Sequence, residues 1–107
     1  MKASLDPYFD AFLDPDALAI RYAELAPSLH RTPVLRSASL DAWAGAALHL
    51  KCENFQRSGA FKMRGVSNAL RELASHGLPA GGVCTHSSGN HGQALAWASG
   101  GLGIPCT

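Results

Sequence analysis

Leu48-His49-Leu50-Lys51-Cys52 alternates apolar with polar residues, Glu53-Asn54-Phe55-Gln56-Arg57-Ser58-Gly59 is polar and irregular, and residues 60–75 return to helical spacing before His76-Gly77-Leu78-Pro79 interrupts them. A period of two that gives way to a period near 3.6 predicts strand, loop, helix. The same order recurs downstream. Residues 82–86 read as a short strand, Ser87-Ser88-Gly89-Asn90 as a tight turn, and residues 91–99 as a helix rich in small side chains. Gly103-Ile104-Pro105-Cys106-Thr107 then enters a third strand. Strands alternating with helices predict an α/β fold, a three-layer arrangement with an open, twisted parallel sheet between flanking helices.

Upstream, Asp14 followed by Pro15 has the signature of an N-cap with proline at the first helical position. Ala17, Leu18, Ala19, Ile20, Ala23 and Leu25 carry that helix until just before Pro27. Thr32-Pro33-Val34-Leu35 is extended, because proline drives its predecessor away from helix. A short helix over residues 39–44 closes at Gly45. The chain reaches residue 107 at the start of a strand, so residues 1–107 are expected to be one truncated part of a longer domain.

Composition narrows the function. With 107 residues, 47% of them hydrophobic, there is material for one modest core. A net charge of +1 without a charge run argues against nucleic acid or an anionic membrane as partner and favours a small neutral or zwitterionic molecule. Cys52, Cys84 and Cys106 are an odd number at scattered positions, which predicts free thiols and a reducing, cytoplasmic setting. Around Lys2, Asp6, Pro7 and Asp10 no apolar stretch has signal-peptide length, and no membrane span is expected.

In open α/β sheets ligands bind beyond the carboxyl ends of the strands, which points to the two loops. Lys62 aligns with Val66, Ala69 and Leu73, a lysine at the top of an apolar helical stripe. The helix dipole and burial would both disfavour its ammonium and favour the neutral, nucleophilic amine that imine chemistry needs. A lysine that snorkels its charge into water is the competing reading, and from the stripe alone it takes precedence. The turn Thr85-His86-Ser87-Ser88-Gly89-Asn90-His91-Gly92-Gln93 gathers hydroxyls and glycines at a helix N-terminus, where anions bind. Phosphate and carboxylate both fit it, and a plain serine cap fits equally. The turn lacks both GxGxxG and the P-loop lysine pattern, so a nucleotide-binding fold has only the strand-helix rhythm behind it. Cys84, His86 and His91 follow no standard zinc spacing. Cys52, Trp43 and Trp97 are expected to pack, and for Arg57 and Arg64 a solvated surface role takes precedence over a carboxylate partner.

Together the two loops resemble the paired signatures of the fold-type II pyridoxal-phosphate enzymes, within them the serine racemase and serine/threonine dehydratase group. The resemblance begins at Thr32-Pro33-Val34-Leu35 and is carried by Lys51-Cys52-Glu53-Asn54-Phe55-Gln56, Ser58-Gly59-Ala60-Phe61-Lys62, Arg64-Gly65 and Ser87-Ser88-Gly89-Asn90-His91-Gly92-Gln93-Ala94. Cysteine and threonine synthases differ around the lysine. The resemblance implies that residues 1–107 are the N-terminal part of a pyridoxal 5'-phosphate enzyme, with Lys62 carrying the cofactor as a Schiff base. It also implies that Phe61 packs on the pyridine ring, Asn90 bonds the phenolic oxygen, and Ser87, Ser88, Asn90 and His91 hold the substrate carboxylate.

By that resemblance the turn is a carboxylate cradle, because the family binds phosphate in a glycine-rich loop later in the chain, where a divalent cation site also lies. Ser58 stands where threonine is common. The implied reaction is removal of the α-proton by Lys62 from a small hydroxy amino acid, followed by loss of a β-hydroxyl or by reprotonation from the opposite face. Ser88 matches the serine that racemases place on that face. The full-length parent is expected to be a homo-oligomer. A non-catalytic fragment or binding module, inactive by itself, is the alternative from another class.

Overall fold

The computed structural model describes residues 14–78 and 80–107. The charges at Lys2, Asp6 and Asp10 therefore lie outside the described residues. Helix α1 spans Pro15–Leu25, with Asp14 as N-cap accepting the Asp16 N–H at 3.1 Å, as the Asp-Pro pair predicts. A 3₁₀ turn over Ala26–Ser28 carries the chain to Leu29 and the extended Thr32-Pro33, and β1 is Val34–Leu35.

Helix α2, Ala38–Ala44, is capped by Ser37 and closes at Gly45, which adopts φ 65°, a left-handed conformation that glycine enters without penalty. Asp41 accepts the Leu48 N–H at 2.7 Å and also pairs with Arg36. These contacts fold the connection back, and β2, Leu50–Lys51, pairs with β1 antiparallel, Leu35 opposite Leu50 and Val34 opposite Lys51. The expected strand over residues 48–52 thus forms only at its centre, and its neighbour is the segment before it rather than a parallel strand after it.

The second unit keeps the parallel order. Helix α3 is Lys62–His76 and α4 is Asn90–Leu102. Around α4 as the crossover, Val83 and Cys106 form a parallel bridge. The Val83 N–H donates to the Pro105 carbonyl at 2.9 Å and the Thr107 N–H to the Val83 carbonyl at 3.0 Å. Gly82 is required there: at φ 78° a Cβ would lie 2.1 Å from the Pro105 oxygen.

The core sits between α3 and α4. Met63, Val66 and Leu70 pack on Ala94, Leu95 and Ala98, closed by Leu25 and Leu29 on one side and Ile104 on the other. Alanines and Ser99 on α4 let the two helices approach closely, so the buried face of α3 runs through Met63 rather than Lys62. The expected Lys62, Val66, Ala69, Leu73 stripe is buried only at Val66, and Leu73 is 40% exposed. Trp43, expected to pack, is 86% exposed, Trp97 is 44% exposed, and Cys52 is half-buried beside an exposed Leu50. Among the described residues no helix is long and apolar enough to cross a membrane.

Candidate active site

Lys62 is the first residue of α3, exposed, at the rim of a cleft of about 570 Å³. Phe61, Val66, Val83, Cys84, His91 and Leu95 share that cleft, so the starts of α3 and α4 face one space. Lys62 is therefore not buried as the apolar stripe predicted. Its Nζ makes no ion pair among the described residues and lies 5.1 Å from the centre of the Phe61 ring, within cation–π range. An unpaired amine beside an exposed aromatic ring at the mouth of an apolar cleft fits an aromatic cofactor held covalently.

The loop behind Lys62 is densely bonded. Gln56, 4% exposed, accepts the N–H groups of His30 and Arg57 through Oε1, at 2.8 and 3.0 Å, and donates from Nε2 to the His30 carbonyl at 2.9 Å. Arg64 presents Nε and Nη2 to the two oxygens of Glu53, each at 2.8 Å. Thr32 donates its hydroxyl to Glu53, and Lys51 donates to the Thr32 carbonyl at 2.6 Å. The Arg64 bonds hold the Glu53 carboxyl far below its ordinary 4.5, at about 2, and Glu53 raises Arg64 in turn.

Ser58 and Gly59 follow in left-handed conformation, φ 59° and 70°, turning the chain into α3. For Ser58 this costs about 1 kcal/mol, which the surrounding bonds must hold. Arg64, expected to be solvated, is thus half-buried and doubly bonded, and Arg57 lies over Trp97 at 5.1 Å. Sequence reasoning missed Thr32, Glu53, Gln56 and Arg64 as a unit. Their signal was that all but Thr32 fall within the quoted lysine signature.

The second loop is open. Ser87, Ser88 and Gly89 line a shallow concavity with Thr85 and His86, apart from the lysine cleft, and Asn90 lines neither. His91 alone of the turn residues reaches the Lys62 cleft. The N-cap of α4 is Gly89, without a side-chain cap, so the serine cap does not form. Ser87 instead accepts the Gly89 N–H at 3.3 Å, and the hydroxyl of Ser88 and the amide of Asn90 bond nothing among the described residues. Gly92 permits the turn to close on the helix, since a Cβ there would lie 2.2 Å from the Ser87 carbonyl oxygen. The first amides of α4 are left facing outward with the positive end of the helix dipole, a setting for a carboxylate.

Residues 25–107 match the family described as "Pyridoxal-phosphate dependent enzyme". A serine racemase from Dictyostelium discoideum is 54% identical over 71 residues, covering 66% of this chain and 22% of the relative. A beta-hydroxyaspartate dehydratase from Paracoccus denitrificans is 47% identical over 85 residues, covering 79% and 27%. The solved structure of serine racemase from Dictyostelium discoideum superposes with a TM-score of 0.76 at 43% identity, covering 85% of this chain and 30% of that one. The chain spans about a quarter of the length of the curated relatives it matches.

Proposed function

Since the chain belongs to the pyridoxal-phosphate-dependent enzymes, in their fold-type II serine racemase and dehydratase group, we propose that residues 1–107 are the N-terminal part of an amino-acid racemase or β-eliminating dehydratase. Its substrate is a small hydroxy amino acid such as serine, threonine or hydroxyaspartate. The observation that carries this is the unpaired Lys62 amine beside Phe61 at the mouth of the cleft that α4 shares through His91.

Lys62 would hold pyridoxal 5'-phosphate through Nζ with Phe61 against its ring, and the resemblance alone, since Asn90 does not line the cleft here, supports Asn90 at its phenolic oxygen. When bound, the cofactor draws off the electrons left behind as the α-proton departs. The outward amides of α4, with Ser87, Ser88 and His91, bind the substrate carboxylate and orient the α-carbon toward Lys62. Lys62 Nζ, once free, removes the α-proton on one face. Ser88 Oγ returns a proton on the other, which gives inversion. Loss of the β-hydroxyl as water before that return releases an enamine, which a second water hydrolyses to a keto acid and ammonia.

The remaining cofactor contacts, the divalent-cation site and homo-oligomeric assembly belong to the longer protein. The expected three-layer parallel sheet also completes there, as do the cytoplasmic setting and the lack of nucleic-acid or membrane partners that composition supports. A second reading, that the 107-residue polypeptide by itself is inactive, is favoured by the exposed Val34, Leu35 and Leu50, apolar strand residues left uncovered. In the full-length protein, Lys62→Ala should abolish the visible absorption of the lysine-bound cofactor; an unchanged spectrum overturns the assignment. Titrating pyridoxal 5'-phosphate into the 107-residue chain tests the second reading, which stable binding with turnover would refute.

A further inference from the structure

Lys62 Nζ has no hydrogen-bonding anchor of its own among the described residues, so its place is set by the backbone that carries it. That backbone is shut at both ends. Glu53 opens the loop and Arg64 follows Lys62 in the first turn of α3, and the two meet through a pair of bonds of 2.8 Å each. Two bonds in one plane fix orientation as well as distance, which a single point charge does not. Thr32 contributes a third point of attachment: its hydroxyl donates to Glu53 and lies 3.4 Å from Arg64 Nη2. Its own backbone carbonyl is held by Lys51 Nζ. The strained Ser58–Gly59 bend lies inside this closed segment, so a loosened end would let the bend relax and swing the start of α3.

We propose that Glu53, Arg64 and Thr32 form a clasp that positions Lys62 for its covalent bond to the cofactor, a role that rests on the reading of Lys62 given above. Glu53 and Arg64 are positioning residues. Arg64 borders the cleft, but its Nε and Nη2 are taken up by the Glu53 carboxylate, and Glu53 itself does not line the cleft. A clasp whose purpose is orientation is sensitive to replacement by an equal charge of different shape. An ion pair that serves only stability would pass the same change on to the thermal midpoint and leave cofactor attachment and kcat of the folded protein unchanged.

The test uses the full-length protein, stripped of cofactor and then mixed with pyridoxal 5'-phosphate. Four readings are taken for each variant: the rate at which the visible band appears, the fraction of Lys62 captured by borohydride reduction and seen by peptide mass, kcat with KM, and the thermal midpoint. Glu53→Gln and Arg64→Lys should each slow band formation and lower kcat by about a hundredfold, the usual cost of misplacement by an ångström. KM should stay within about twofold, because a positioning defect leaves substrate binding in place. Thr32→Val, which keeps both charges, should lower the same two rates by about tenfold.

Band formation and kcat at the wild-type level in Arg64→Lys and Thr32→Val would overturn the clasp. So would losses that track a matching loss of folded protein. Should Glu53→Gln fail to fold, the other two variants decide alone. Lys62→Ala separates the two levels of the argument. If that variant keeps the band, the reading of Lys62 fails; if it loses the band while the clasp variants match wild type, only the clasp fails.

Discussion

Residues 52–61 and residues 84–89 do the same topological work, each leading from an extended segment into a long helix, and they are built in opposite ways. The first closes on itself through Gln56, Glu53, Arg64 and Thr32, although Arg57 Nε and Ser58 Oγ are buried there without a partner among the described residues. The second has one weak internal bond, from the Gly89 N–H to Ser87, and leaves its hydroxyls and the first amides of α4 facing outward. On the proposed reading, the first loop carries a covalent anchor, which needs a fixed amine, and the second receives a carboxylate that comes and goes, which needs free donors. Polar satisfaction inside the protein and availability to a ligand exclude each other atom by atom.

The sharpest way to break the contrast is Gln56→Ala. Its side chain is buried and makes three bonds, two of them to the backbone of His30. Removing it leaves the part-buried N–H and carbonyl of His30 without their partner, which should cost about 2 kcal/mol. Denaturant unfolding of the 107-residue chain reads this as a lower midpoint at unchanged slope. A loss under about 1 kcal/mol would mean that the loop is not held as tightly as its bonds imply.

In the open turn, sterics replace hydrogen bonds, and a pair of glycines isolates them. At Gly92 a Cβ would lie 2.2 Å from the Ser87 backbone oxygen, so Gly92→Ala must displace the turn. The expected cost is about 2 kcal/mol by overpacking. At Gly89 an added Cβ meets nothing within 4 Å, so Gly89→Ala should stay within about 0.5 kcal/mol. Equal effects at the two sites would remove the close approach as the reason for Gly92.

Acid offers a graded version. Glu53 is held at about 2 instead of 4.5, mainly by Arg64, so the folded state favours its ionised form. A depressed carboxyl contributes fully above the unfolded value, and its contribution fades as pH falls from about 4.5 toward 2. With the pair partly exposed, the stability lost should be about 2 kcal/mol. Comparing unfolding of wild type and Glu53→Gln at pH 5 and near pH 2 removes the other carboxylates from the difference. An equal fall in both proteins would show that Glu53 is not the group responsible.

The elements were legible where one local rule decides them. Asp14-Pro15 starts α1, Gly45 ends α2, and the strand-turn-helix order around Gly89 holds because capping and turn chemistry act within a few residues. The pairing of Leu50 with Leu35 was not legible, since a period of two marks a strand without naming its neighbour. The buried face of α3 was displaced by one residue for a similar reason. Lys62, Val66 and Leu73 make as good a stripe on paper as Met63, Val66 and Leu70, and only the small residues of α4 choose between them. Glu53 and Arg64, eleven positions apart across a loop, fall outside any helical pairing rule, so the site's best-defined interaction was the one hardest to foresee.

Ser88→Ala should have the smallest effect on stability and the most selective one on chemistry. The Ser88 hydroxyl is exposed and bonds nothing among the described residues, so its loss should change stability by less than about 0.5 kcal/mol. The bland role for Ser88, a helix cap, is taken by Gly89 without any side-chain bond, which leaves the hydroxyl free to move a proton. In the full-length protein, inversion of the amino acid needs a proton donor opposite Lys62, and elimination does not. The variant should therefore lose inversion by about a hundredfold or more, the low end of what a general acid contributes, while keeping keto-acid formation. Chiral chromatography of the amino acid alongside a keto-acid assay separates the two. Inversion and elimination that persist in their original ratio would reduce the open turn to a carboxylate cradle alone.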